Sequence, residues 1–230
     1  MTKPEAHELT IPLSDGSLSE GNAVSGLLLV PAAIRAGYVL AHGAGAGMSH
    51  PFMAAAAEQL ANRGIATLRY QFPYMEHGSR RPDPAKIAHA AVRAAVDEAA
   101  KRLPGIPLFA GGKSFGGRMT SQAQAEAPLP GITGLVFLGF PLHPAKQPSL
   151  DRAQHLASVQ IPMLFLQGAR DGLAEPHLIA RVVADLGTRA TLTTFPDADH
   201  SFHVPARAGH TDAQVLAKVC DAIAAWMVAH

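Results

Sequence analysis

From residue 37 onward, short apolar runs rich in β-branched residues recur with helical patterns between them. They are GYVLAHG (37–43), IATLRYQF (65–72), PLFAGG (107–112), ITGLVFLGF (132–140), PMLFLQG (162–168) and ATLTTF (190–195). Runs of this length are strand-sized. The later ones are nearly continuous rather than alternating, the pattern of strands covered by helices on both faces. A chain that alternates strand and helix in this way builds a parallel sheet with crossover helices. Near the N-terminus, ELTIPL and AVSGLLLV (23–30) flank the turn-rich SDGSLSEGN and read as an opening antiparallel hairpin. The expected fold is therefore a single α/β domain over residues 1–230, with its core from about 23 to 230. Its mostly parallel sheet has about eight strands, with helices on both faces.

The helical segments carry their own punctuation. Asp83 is placed to cap a helix over 84–103 with Pro84 at its first position, burying Val92, Val96, Ala99 and Leu103. A second helix, 176–186, opens on Pro176 and turns Ile179, Val182, Val183 and Leu186 inward. The last begins with a capping box, Thr211 to Gln214, and buries Val215, Val219, Ile223 and Trp226.

FAGGKSFGGRM (109–119) admits two readings. Gly112-Lys113-Ser114 is the tail of a phosphate-binding loop, but that loop needs glycine at 107, where Pro107 stands. HGAGAGM likewise fails as a dinucleotide fingerprint, because Met48 occupies the third glycine position. The other reading is G-x-S-x-G, with Ser114 on a sharp strand-to-helix turn. Gly112 and Gly116 flank it where a side chain would collide, an apolar run precedes it, and 115–126 can continue as a helix.

A serine hydroxyl needs a base to take its proton and a carboxylate to orient that base. On such a sheet they follow in the order serine, acid, histidine, each just past a strand. Asp171 follows the run 162–168, and His200 follows 190–195. His203 is the reserve base; Asp197 and Asp199 lie so near His200 in sequence that they suit its loop better than its ring. Two backbone N–H groups are needed for a developing oxyanion. Phe115, after the nucleophile, supplies one; Ala44 in His42-Gly43-Ala44-Gly45 is favoured for the other, with Gly45 close behind.

The set HGAGAG, GGKSFGG, GARD and DADHSF, together with LRYQFPYME (68–76) and GFPLHP (139–144), resembles the α/β-hydrolase superfamily. Within it, the similarity is to a dienelactone-hydrolase-like group that includes bacterial hydrolases, testis-expressed proteins and an NSL-complex chromatin subunit. The resemblance runs from about residue 23 to the C-terminus. It implies a compact hydrolase without a large lid domain. Dienelactone hydrolases proper use a cysteine nucleophile, whereas this position is Ser114. The implied activity is that of a serine hydrolase cleaving an ester or related acyl substrate. Acyl transfer or perhydrolysis by the same three residues, and a non-catalytic interaction domain, are the alternatives. The family-like setting of Tyr74, Glu76 and His143, and the glycine at 45, hint at substrate binding; loop-building roles are equally open for the first three.

Other features narrow the class. A formal charge of +1 with scattered Lys and Arg leaves no nucleic-acid footprint or polybasic membrane surface. The one cysteine, Cys220, excludes an internal disulfide and a cysteine-built zinc site, and fits a packed small hydrophobe. No metal-ligating spacing is present, so neither metal nor cofactor is expected. Without an apolar leader or spanning segment, the expectation is a soluble cytoplasmic protein whose partner is a small acyl substrate. Lys113 and Arg118, beside the elbow, read as supporting charges. His42 reads as an organiser of its loop. Met48, Phe52 and Met53, at the start of the next helix, read as pocket wall or core.

Overall fold

The structure is a computed structural model and describes residues 5–13 and 23–230. Among these residues eight strands form one sheet: β1 (Ala6–Pro12), β2 (Ala23–Leu29), β3 (Ala36–Ala41), β4 (Ile65–Tyr70), β5 (Leu108–Lys113), β6 (Ile132–Leu138), β7 (Met163–Gly168) and β8 (Ala190–Phe195). Their order is β1-β2-β4-β3-β5-β6-β7-β8. β1 and β2 pair antiparallel, as do β2 and β4; β3 to β8 run parallel. The β1–β2 ladder matches the expected hairpin, whose turn lies outside the described residues.

Among the described residues six α-helices accompany the sheet: α1 (Pro51–Ala61), the single-turn α2 (Pro73–Glu76), α3 (Ala85–Arg102), α4 (Phe115–Glu126), α5 (Pro176–Leu186) and α6 (Asp212–Ala229). Alternate strand residues face opposite layers. Val39, Leu68, Leu135, Phe137 and Phe165 pack with α3, α4 and α5 through Val92, Val96, Met119 and Ile179. Tyr38, Leu40, Val136, Leu138 and Leu164 pack with α1 and α6 through Met53, Leu60, Val219 and Ile223. Burial on both faces explains the near-continuous apolar runs. Between β6 and β7 the chain forms only a loop and the 3-10 helix Asp151–Ser158, so no lid is inserted there. No described helix is long and apolar enough to cross a membrane.

Two local expectations differ from the structure. Pro84, not Asp83, is the N-cap of α3 and has no side-chain cap bond. The Asp83 carboxylate instead accepts the backbone N–H of Tyr74 at 2.8 Å, a competing donor that becomes available only once α2 folds beside it. Met48 precedes α1 rather than opening it, and Val183 is half-buried, not core. The capping box of α6 forms as expected, with Thr211 and Gln214 bonded reciprocally.

The strand order places the site. From β3 the chain steps to β4 on one side, then crosses back to β5 on the other. At such a reversal the loops leaving adjacent strands diverge and open a crevice at their carboxyl ends. The two loops are His42–Gly45 and the turn carrying Ser114.

Candidate active site

Ser114 has φ 49° and ψ −113°, a conformation that costs a non-glycine residue about 1–3 kcal/mol and persists only when its surroundings fix it. They do so here. Ser114 N–H donates to Leu138 O at 3.1 Å, and Arg118 N–H donates to Ser114 O at 3.1 Å. A Cβ on Gly112 would stand 2.2 Å from Ala41 O, and one on Gly116 would stand 2.6 Å from His42 O. The glycines thus let the turn press against β3 and lift the serine clear of the sheet.

Ser114 Oγ lies 2.8 Å from His200 Nε2, and His200 Nδ1 lies 2.7 Å from Asp171 Oδ2. With the carboxylate oxygen as acceptor, Nδ1 carries the proton and Nε2 is left to accept from the hydroxyl. The His200 side chain is 22% exposed and that of Asp171 0%. The ring can therefore meet solvent or a ligand while the carboxylate is shielded. Asp171 also accepts from Leu173 N–H at 2.8 Å and from the Gln167 amide. Gln167 Oε1 in turn accepts Phe140 N–H at 3.0 Å. Behind the histidine, Lys113 donates to His200 O at 2.6 Å, and burial lowers its pKa to about 8. Asp199 accepts from Ser201 N–H and His203 N–H, so it builds the loop, as its position in sequence suggested.

The loop after β3 is held from below. His42 is fully buried; its Nδ1 donates to Gly43 O at 2.8 Å while Nε2 accepts Phe72 N–H at 3.1 Å. Across a trans peptide the N–H points opposite to the C=O. Anchoring Gly43 O therefore turns Ala44 N–H the other way. The Cα of Gly43 packs by Ser114, since a Cβ there would lie 3.8 Å from Ser114 Cβ. Gly45 N–H is already taken by the Tyr74 hydroxyl at 3.1 Å, which leaves Ala44 the freer donor of the two.

Burial lowers the His42 pKa from 6.5 to about 4. Between those values the unfolded chain binds a proton that folded His42 refuses, so stability is full above pH 6.5 and is lost as pH falls toward 4. A difference of this size corresponds to about 3 kcal/mol. His155 is lowered to about 4 as well and acts with the same sign. The urea midpoint should fall across this window, with the His42 ring resonances titrating only near its lower end. Titration of His42 near 6.5 would contradict it.

The profile of the alpha/beta hydrolase domain family matches residues 35–228. The chain belongs to the alpha/beta hydrolase family. Its fold is similar to that of a dienelactone hydrolase from Anabaena variabilis, with 20% identity and a TM-score of 0.77 over 100% of this chain and 99% of that one. It is also similar to a serine hydrolase without lid from Xanthomonas campestris, at 19% identity and TM-score 0.73, covering 96% and 95% of the two chains. A third similar structure is Est1E from Butyrivibrio proteoclasticus with ferulic acid bound, at 16% identity and TM-score 0.68, covering 96% and 100%.

In this α/β hydrolase the remaining residues singled out from sequence divide clearly. Ser114, His200 and Asp171 are hydrogen-bonded in series, with Phe115 next to the serine in the chain and Gly43 of the Ala44 loop packed by Ser114. Tyr74 is buried and anchors that loop. Glu76 accepts Ser25 N–H and so ties α2 to β2. His143 is fully buried between Pro144 O and Glu175. His203 pairs with Asp212 at 2.8 Å, away from Ser114. Phe52 stacks on Phe202, Met53 is core, and Cys220 is buried with its thiol pushed up to about 12 by burial. Among the described residues no group of three His, Cys, Asp or Glu is placed to hold a metal ion. Gln167 escaped the sequence reading. Its one signal was a lone amide at the end of an apolar run, four residues before Asp171.

Proposed function

We propose that this α/β hydrolase is a single-domain serine hydrolase that cleaves an ester or related acyl substrate through an acyl-enzyme on Ser114. The observation that carries the reading is the unbroken chain from Ser114 Oγ through His200 to Asp171, with bonds of 2.8 and 2.7 Å. His200 Nε2 takes the hydroxyl proton as Oγ attacks the carbonyl carbon. Asp171 holds the ring and stabilises the imidazolium. Phe115 N–H and Ala44 N–H receive the tetrahedral oxyanion, each donor contributing roughly 3 kcal/mol. The intermediate collapses, the bond to the alcohol breaks, and His200 returns its proton to the leaving oxygen. A water then gives its proton to His200 as it attacks the acyl carbon; the bond to Oγ breaks, Oγ takes that proton back from His200, and the acid leaves with Ser114 restored.

The short β6–β7 connection favours a shallow site for small acyl groups; the bound ferulic acid of a structural neighbour is also a small acid. Activity on p-nitrophenyl esters should fall steeply from acetyl and butyryl to palmitoyl. A preference for the long chain would overturn the small-acyl assignment, and no turnover of any ester by folded protein would overturn the hydrolase reading. Gln167→Leu should lower kcat about tenfold or more while leaving KM near its parent value. The change removes a buried donor to Asp171 and the acceptor for Phe140 N–H, so the acid loses its fixed position. An unchanged kcat would show that Asp171 is held without it.

A further inference from the structure

The last residue of β5 is a lysine where the strand pattern asks for an apolar side chain. Residues two apart on a strand share a face, so Lys113 looks the same way as Phe109, toward the layer of α1 and α6. A cation brought to that face is costly unless something there accepts its hydrogen bond. Lys113 is also the residue immediately before Ser114.

Its side chain joins segments that the reaction needs in register. The stem packs on the loop after β3: a Cβ on Gly43 would stand 3.5 Å from Lys113 Cγ and 3.8 Å from Ser114 Cβ. The ammonium donates to His200 O at 2.6 Å, across 87 residues of chain. The two groups meet beside Gly139, the residue after β6. A Cβ there would stand 3.1 Å from Lys113 Nζ, 3.1 Å from His200 O and 3.4 Å from His200 Nδ1. Glycine at 139 therefore leaves the space in which the ammonium reaches the residue that carries the base. The Phe202 ring centroid lies 5.8 Å from Nζ, within cation–π range.

No carboxylate replaces this contact. Asp171 in the loop after β7 and Asp199 in the loop after β8 are the charges that favour the ammonium. Both are engaged elsewhere, Asp171 by His200, Gln167 and Leu173, and Asp199 by Ser201 and His203. Burial outweighs the attraction of the two carboxylates and brings the Lys113 pKa down to about 8.

We propose that Lys113 is the positioning residue of the base: its ammonium holds the His200 main chain against the elbow, so that Nε2 stays within reach of the Ser114 hydroxyl. As an effect on rate this rests on the serine hydrolase reading; as a link between the elbow and the His200 loop it stands on the contacts alone. One strand end sets both groups, since residue 113 fixes the histidine and residue 114 is the nucleophile. Misplacing a base lowers the rate of the chemical step without loosening the substrate. The bond is charge-assisted, so it weakens as the ammonium loses its proton above about pH 8.

Lys113→Met keeps the length of the stem and removes both donor and charge. At pH 7 its kcat for p-nitrophenyl butyrate should fall about tenfold or more, with KM within about twofold of the parent. The parental kcat should decline as pH rises through about 8, and that decline should be absent both in Lys113→Met and in Lys113→Arg, which stays charged. A merely structural lysine would lower the urea midpoint and leave kcat and the pH profile of the folded protein in place. A folded Lys113→Met with parental kcat, or one that keeps the alkaline decline, overturns the proposal. If neither variant folds, a parental kcat that stays level through pH 8 overturns it alone. If the parent turns over no ester, the hydrolase reading fails, and proton NMR of the His200 Nδ1–H shared with Asp171 decides the link. That downfield signal should be sharp in the parent at pH 7 and broadened away in folded Lys113→Met; an unchanged signal counts against the link.

Discussion

Ser114→Ala is expected to lower kcat for a short acyl ester about 10⁴-fold or more, leaving only what binding and the two backbone donors provide. Without Oγ there is no covalent intermediate, and His200 has no hydroxyl at 2.8 Å from which to take a proton. His200→Ala should be nearly as severe, because the hydroxyl then lacks a base. The double variant should be little worse than either alone, since the serine and histidine act as one unit and their losses do not add. Steady-state kinetics with p-nitrophenyl butyrate, with the urea midpoint of each variant as a folding control, measures this. Retention of more than about 1% of parental kcat by a folded Ser114→Ala would contradict the assigned nucleophile.

Gly112→Ala is expected to damage the fold severely at the site. The new Cβ would meet Ala41 O at 2.2 Å and Ala41 C at 2.8 Å, and Gly112 has φ +147°. These are backbone atoms of the neighbouring strand, so no side chain can rotate away. Either β5 must separate from β3 or the turn must open. The loss of stability should reach about 3–5 kcal/mol, the upper range for single substitutions. Activity should fall further than stability, because Ser114 and the Ala44 loop leave these same two strands. Gly172→Ala supplies the control, as nothing lies within 4 Å of its added Cβ. A urea midpoint for Gly112→Ala within error of the parent would show that the turn is not held as described.

What could be read from sequence follows from how locally each feature is encoded. The elbow was legible because its glycines, serine, strand and helix are contiguous. Asp171 and His200 were legible because each follows an apolar run closely, so their order along the chain sufficed. The strands from β3 to β7 were legible because burial on both faces writes a continuous apolar run; β8, mostly unburied, was legible from its β-branched residues. Contacts between distant segments were not. Gln167 reaches Phe140, 27 residues away, and Tyr74 reaches Gly45, 29 residues away. Neither bond has a sequence spacing to announce it. Asp83 carries the right side chain for a cap, yet Tyr74 N–H claims it once α2 forms.

Reaction of the purified chain with a fluorophosphonate, with the modified residue located by peptide mass spectrometry, tests the central claim most directly. The account predicts covalent labelling at Ser114, abolished in Ser114→Ala and reduced to background in folded His200→Ala. Folded parent that stays unlabelled, or labelling at a different serine, would contradict it.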